Sequence, residues 1–149
     1  MSLESDAGTA GTGYGGPGTE KMGINSYREL NVWQRSMDLV ETIYRLTGKF
    51  PKSEVYGLTS QTQRAAVSIP ANIAEGHDRD STREYLHHIS YAVGSLAELE
   101  TLIVISCRLG HIPDAEIGSL TIECQAIGRM LRSLQRALRA KLTRKPEKP

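Results

Sequence analysis

Aromatic residues are scarce in this chain. Phenylalanine, tyrosine and tryptophan together make 5% of its 149 residues. A core built from the 39% hydrophobic content must therefore be aliphatic, and the length suits one domain. An excess of either charge is also missing: 18 Lys and Arg stand against 17 Asp and Glu, a formal net charge of +1. That excludes a protein that attracts polyanions through its total charge; any such affinity must come from where the charges sit. No run reaches the roughly 18 to 20 apolar residues of a membrane-spanning helix. The opening "MSLESDAGTAGTG" carries acids and has no apolar segment of a secretory signal. The expectation is a cytoplasmic protein without membrane contact. Cysteine is limited to Cys107 and Cys124, expected as free thiols in a reducing compartment.

What is present is helical patterning. Residues 1–26 are rich in Gly, Thr and Ser and cannot bury enough apolar surface to offset ordering entropy, so they read as a flexible tail. Residues 27–142 read as the folded unit, and 143–149 as a basic C-terminal tail. Four helical blocks fill the unit. The first spans about 31–48, with Asn31 as cap, Gln34 three residues on, and Trp33, Met37, Val40, Ile43 and Tyr44 as its buried stripe. The second spans about 54–76, with Leu58, Thr62, Ala65, Ala66, Ile69 and Ile73 on one face. The third spans about 81–109: Ser81 and Glu84 form a capping box, and an apolar arc runs from Tyr85 through Ile89, Leu96 and Ile103 to Cys107. The fourth begins near Pro113, and Leu120, Cys124, Ile127, Leu131, Leu134 and Leu138 make a heptad seam. No segment reads as a strand. Short connections between long amphipathic helices predict an all-α, up-down-up-down antiparallel four-helix bundle.

The second block, "QTQRAAVSIPANIAEGHDR", carries Pro70 in its interior. Proline removes a backbone donor and frees the carbonyl of Ala66, which predicts a kinked second helix. Its small residues admit a close neighbour. That suggests an oligomer interface at Ala66, Pro70 and Ala74, although alanine is also simply a good helix former.

Polar residues on the apolar arcs form a second set of candidates. Glu100 falls about 40° from Leu96 on the third helix, and a carboxylate there must be paired or neutralised. Asn72 and Gln61 lie at the edge of the second helix's apolar face, so the three are expected to form a buried polar network. No nucleophile, histidine or second carboxylate stands at catalytic spacing with Glu100, and no catalytic residue is assigned. His77, His87, His88 and His111 lack metal-ligand spacing, so neither a metal site nor a cofactor is expected. The two cysteines differ by about 12 Å in height on adjacent helices, too far for a disulfide.

The fourth helix carries a second pattern opposite its apolar seam. Arg129, Arg132, Arg136 and Arg139 project within roughly 80° of one another. Lys141 follows, and no acid intervenes between Arg129 and Glu147. Guanidinium groups spaced along one face suit phosphate contacts to RNA or DNA backbone, without base readout. A solvated face helped by cations at a helix C-terminus is the alternative.

Three stretches are specific enough to carry a resemblance: "NVWQ", "FPKSEVYGLTSQTQRAAVSIPANIAEG" and "GSLAELET". Over about residues 27–138 the chain resembles the bacterial four-helix-bundle family encoded in intervening sequences of 23S ribosomal RNA genes. The resemblance implies a ring-shaped homopentamer with no known enzymatic activity. It also extends in fold to the accessory protein of diversity-generating retroelements, which works with a reverse transcriptase and RNA. Where many members read "QLRRAA", this chain has Thr62 and Gln63, one cation fewer. The expected function is a non-enzymatic homo-oligomer that binds RNA or a ribonucleoprotein through the fourth helix. The alternative is a protein-interaction adaptor, such as an accessory subunit for a reverse transcriptase.

Overall fold

A computed structural model describes residues 25–144. The expected tails over 1–26 and 143–149 lie outside the described residues, apart from Asn25, Ser26, Thr143 and Arg144. Four α-helices follow in order: α1 (Asn31–Thr47), α2 (Leu58–His77), α3 (Thr82–Arg108) and α4 (Asp114–Thr143). Short 3-10 turns at Tyr27–Glu29 and Lys52–Glu54 lead into α1 and α2. The described residues contain no strand. Each helix returns antiparallel to the one before, and the four close into a bundle around Leu39, Ile43, Ile69, Ile73, Ile89, Leu99, Ile127 and Leu131.

Local chemistry sets the helix ends. The Ser81 hydroxyl accepts from the Glu84 amide at 3.1 Å and caps α3, which is one half of the expected capping box; no return bond from the Ser81 amide to the Glu84 carboxylate forms among the described residues. At its other end α3 stops at Gly110, whose φ of +75° is the left-handed conformation that closes a helix. The amides of Gly110 and His111 donate back to the carbonyls of Cys107 and Ser106 at 3.0 and 2.9 Å, so two terminal carbonyls are satisfied. The cap of α1 differs from the expectation. Leu30 holds the N-cap position without a side-chain bond, and Gln34 donates instead to the Arg28 carbonyl at 2.8 Å.

The buried stripe of α1 matches the expected one only in part. Ile43 is buried and Trp33 and Val40 are half-buried against the core as expected, but Val32, Ser36, Leu39 and Leu46 complete the core face, while Met37 and Tyr44 are exposed. Two apolar stripes run side by side on this helix, and the one containing the small polar Ser36 wins. The Ser36 hydroxyl donates to the Val32 carbonyl at 2.6 Å, so its burial leaves no unsatisfied group.

Helix α2 runs unbroken through Pro70 and is wedged between α1 and α3. This placement accounts for its small residues. Ala65, Ala66 and Pro70 are buried inside the single chain, and at Gly76 a Cβ would lie 2.7 Å from the His88 Cβ. Ala66 and Pro70 therefore cannot form the surface expected for an oligomer interface. They admit α1 and α3, and only Ala74 is partly exposed.

Helix α3 is long and apolar enough, by length and composition, to cross a membrane, although the sequence reading finds no such run. Its Ile89, Ala92, Leu96, Leu99 and Ile103 pack in the bundle core, which is the ordinary reason for such apolarity.

Candidate nucleic-acid interface on the fourth helix

Helix α4 is 30 residues long and α1 only 17. Two exposed ion pairs mark their relative height: Arg35 to Glu123 at 3.0 Å and Arg45 to Glu116 at 3.4 Å. With Arg35 beside Glu123, the start of α1 falls level with about residue 127 of α4, so the last four turns or so of α4 continue beyond α1. The charge of α4 is divided at the same place. Its acids, Asp114, Glu116 and Glu123, lie in the half flanked by α1, and Glu116 and Glu123 bind arginines of α1. Its cations lie in the half that runs on.

All five expected nucleic-acid contacts are exposed: Arg129, Arg132, Arg136, Arg139 and Lys141. None of them takes part in an ion pair among the described residues. The four arginines flank the side of α4 that packs on α3. That side is marked by Gln135, which donates to Ser90 at 3.3 Å, and by Gly128 against Leu96. The Arg132 guanidinium lies back along α4 over Gly128.

Lys141 is separated from this strip. It lies on the α1 flank of α4, in an open cleft of about 450 Å³ that also includes Leu30, His77, Arg79, Ser81, Tyr85 and Leu134. Sequence spacing groups Lys141 with the arginines because it follows them; the helical rotation carries it to the far side.

The expected network of Gln61, Asn72 and Glu100 does not form. Gln61 and Glu100 are exposed, and only Asn72 is partly buried. Glu100 turns toward α4, where its charge helps raise the pKa of the buried Cys124. Asn72 belongs instead to a polar seam between α2 and α3. Its amide nitrogen donates to the Ser68 carbonyl at 2.8 Å, and its oxygen accepts from His88 Nδ1 at 3.2 Å. Ser68 and Ser95 share a 2.8 Å hydrogen bond one turn further along. Glu75 lies 3.9 Å from His88 at the seam's outer edge. The signal present in the sequence is Ser68, Asn72, His88 and Ser95 at the borders of the facing apolar arcs of α2 and α3.

Gln63 is engaged across the bundle: its amide donates to the Thr47 hydroxyl at 3.0 Å. Thr62 beside it is 1% exposed, and its hydroxyl has no partner among the described residues. Both cysteines are free thiols, Cys124 buried and Cys107 half-buried. Burial pushes the Cys124 thiol up to about 12, with the charges of Glu100 and Glu123 adding to the effect. The described residues contain no group of three or more His, Cys, Asp or Glu able to hold a metal ion.

The geometry offers a basic strip on one flank of α4 and a cleft on the other, both on the part of the helix that outruns α1. Comparison with known proteins matches residues 28–133 to the family described as 23S rRNA-intervening sequence protein. The matched span takes in Arg129 and Arg132 and stops before Arg136. No curated protein matches the chain. Among solved structures, a protein of unknown function from the S23 ribosomal protein family of Bacteroides thetaiotaomicron is similar, with 21% identity and a TM-score of 0.66. The likeness covers 70% of this chain and 95% of that one, and at this identity it speaks for the fold.

Proposed function

The chain belongs to the 23S rRNA-intervening sequence protein family, and from that premise we propose that it is a non-enzymatic scaffold that binds RNA through the arginine strip of α4. One observation carries this reading: Arg129, Arg132, Arg136 and Arg139 stand exposed on one strip with no acid among them. A solvated helix face usually interleaves both signs, because i,i+4 pairs of opposite charge stabilise it. Here α4 makes its ion pairs through its acidic half and leaves the basic half unpaired among the described residues. A flat row of guanidinium groups suits phosphate oxygens in a backbone and reads no base.

Titration of a structured RNA at increasing salt tests this. Four phosphate contacts give a slope of log affinity against log salt of about −3 to −4. The double substitution Arg132→Glu with Arg136→Glu is expected to lower affinity at least tenfold at low salt and flatten that slope. Unchanged affinity at low salt would refute the reading.

A second reading is favoured by exposed apolar residues. Tyr56, at the opposite end of the bundle, is 97% exposed, and the outer face of α3 presents Tyr91, Val104 and Ile105. These are surfaces for protein contact, either with further copies of this chain, as a ring of five, or with a larger enzyme such as a reverse transcriptase. A protein partner that co-purifies after nuclease treatment supports this second reading.

A further inference from the structure

The cleft beside Lys141 is not used by the arginine strip, and its construction is specific. It exists because α4 outruns α1. The wall of α4 that α1 would otherwise cover is formed by Ala137 and the half-buried Leu134 over the buried Leu138, and it borders open space of about 450 Å³. Leu30 closes one side, and Tyr85 with His77 closes the other.

Tyr85 is half-buried against α2. A Cβ on Gly76 would lie 2.9 Å from its ring, so the ring rests directly on the backbone of α2. His77 meets it edge to face at 5.7 Å between centroids. Burial pushes the Tyr85 phenol up to about 12, so it stays a neutral donor. It makes no hydrogen bond among the described residues. Around the rim stand Lys141, Arg79 and the Asp80 carboxylate, with Ser81 and Thr82 at the start of α3. Arg79 has only a loose 3.5 Å contact with Glu75, and Lys141 has no ion pair among the described residues. Apolar walls, an aromatic pair, an unused phenol donor, one acceptor and two available cations meet in a space the size of a small-ligand site.

We propose that this cleft receives an unpaired nucleotide of the bound RNA: the base lies against Tyr85 and the apolar wall of α4, and its phosphate is held by Lys141 and Arg79. The proposal rests on the RNA reading above and narrows it to RNA with a bulged, looped or terminal nucleotide. Single-stranded positions are where proteins stack bases on aromatic side chains. The cations favour an anionic ligand over a neutral apolar one, and the aromatic walls favour one that carries a flat ring. Asp80 and the Tyr85 hydroxyl supply an acceptor and a donor for base edges.

The experiment compares two RNA hairpins, each closed by a non-nucleotide linker in place of a loop, one fully paired and the other the same stem with a single bulged nucleotide, by fluorescence anisotropy. The full chain is used with the variant Ala137→Trp. Ala137 is exposed, so tryptophan there fills the cleft without disturbing the core. The wild-type chain is expected to bind the bulged hairpin at least tenfold more tightly. Ala137→Trp should abolish that preference and leave paired-hairpin affinity unchanged.

In parallel, an adenosine or uridine monophosphate titration followed by NMR is expected to shift Tyr85, Leu134 and Ala137 in the wild-type chain and not in the variant. Equal affinity for the two hairpins, with no shift by either mononucleotide, would overturn the cleft proposal and leave the arginine strip standing. Mononucleotide shifts without any hairpin binding would keep the cleft as a nucleotide site and remove both the RNA reading and the RNA part of this inference.

Discussion

Thr62 shows how a single side chain departs from its surroundings. It sits at 1% exposure in the core, its hydroxyl without a partner among the described residues, and an unmet buried polar group costs about 1–3 kcal/mol. Thr62→Val keeps the shape and removes the hydroxyl, so it is expected to stabilise the bundle by about 1 kcal/mol, read from the urea midpoint. Cys124 and Tyr85 are both pushed up to about 12 by burial. The sign follows from proton binding. Above the ordinary values of 9.0 and 10.0, the unfolded chain gives up these protons while the folded chain keeps them. Their contribution is therefore complete below about pH 9 and is lost as pH rises toward 12. Denaturation midpoints should fall over that window, and Cys124→Ala should lessen the slope even if it lowers stability throughout. Gln61 and Glu100 mark the limit of residue-level reading. Both lie near the edges of apolar arcs, where a small angular difference decides between core and solvent.

Among the helices, ends were more legible than faces. Ser81 and Gly110 are read correctly from sequence because capping depends on neighbours within one turn. Gly110→Ala places a Cβ in the left-handed region and is expected to cost about 1–2 kcal/mol, measured by thermal or urea unfolding. Ser81→Ala should cost about 1 kcal/mol through the lost bond to the Glu84 amide. The face of α1 could not be read in the same way. Trp33, Met37 and Tyr44 form as regular a stripe as Val32, Leu39 and Ile43, and only packing against α2 selects the second. Helix α2 carried an ambiguity of a different kind. Its row of small residues announces a close neighbour without saying which, and the neighbours of Ala66 and Pro70 turn out to be α1 and α3. The unequal lengths of α1 and α4 were a signal already present: 30 residues beside 17 must leave one helix half uncovered.

For the molecule as a whole, the outer face of α3 matters most. Tyr91, Val104 and Ile105 are large apolar residues left in solvent on a helix whose other face is the core. Light scattering on the full chain is expected to give a multiple of the 16.4 kDa monomer mass. Tyr91→Glu with Ile105→Lys should lower that mass toward one copy while leaving the helical circular dichroism intact. A monomeric wild-type chain would refute the assembly. The two proposed RNA-binding features occupy opposite flanks of the same overhanging part of α4, so loss of assembly need not remove either one.

The sequence by itself determined the number of helices, their order and most of their ends, because periodicity and capping are local and each helix encodes its own. It also determined that the basic charge of α4 is uninterrupted. The tertiary structure alone decided which of two apolar stripes on α1 is buried, that the small residues of α2 serve its own bundle, and that Lys141 parts from the arginines to line a cleft with Tyr85. Those outcomes depend on the heights and rotations of helices far apart in the chain. These are set by packing in the shared core, between residues such as Leu39, Ile73, Leu99 and Ile127, which no window along a single helix contains.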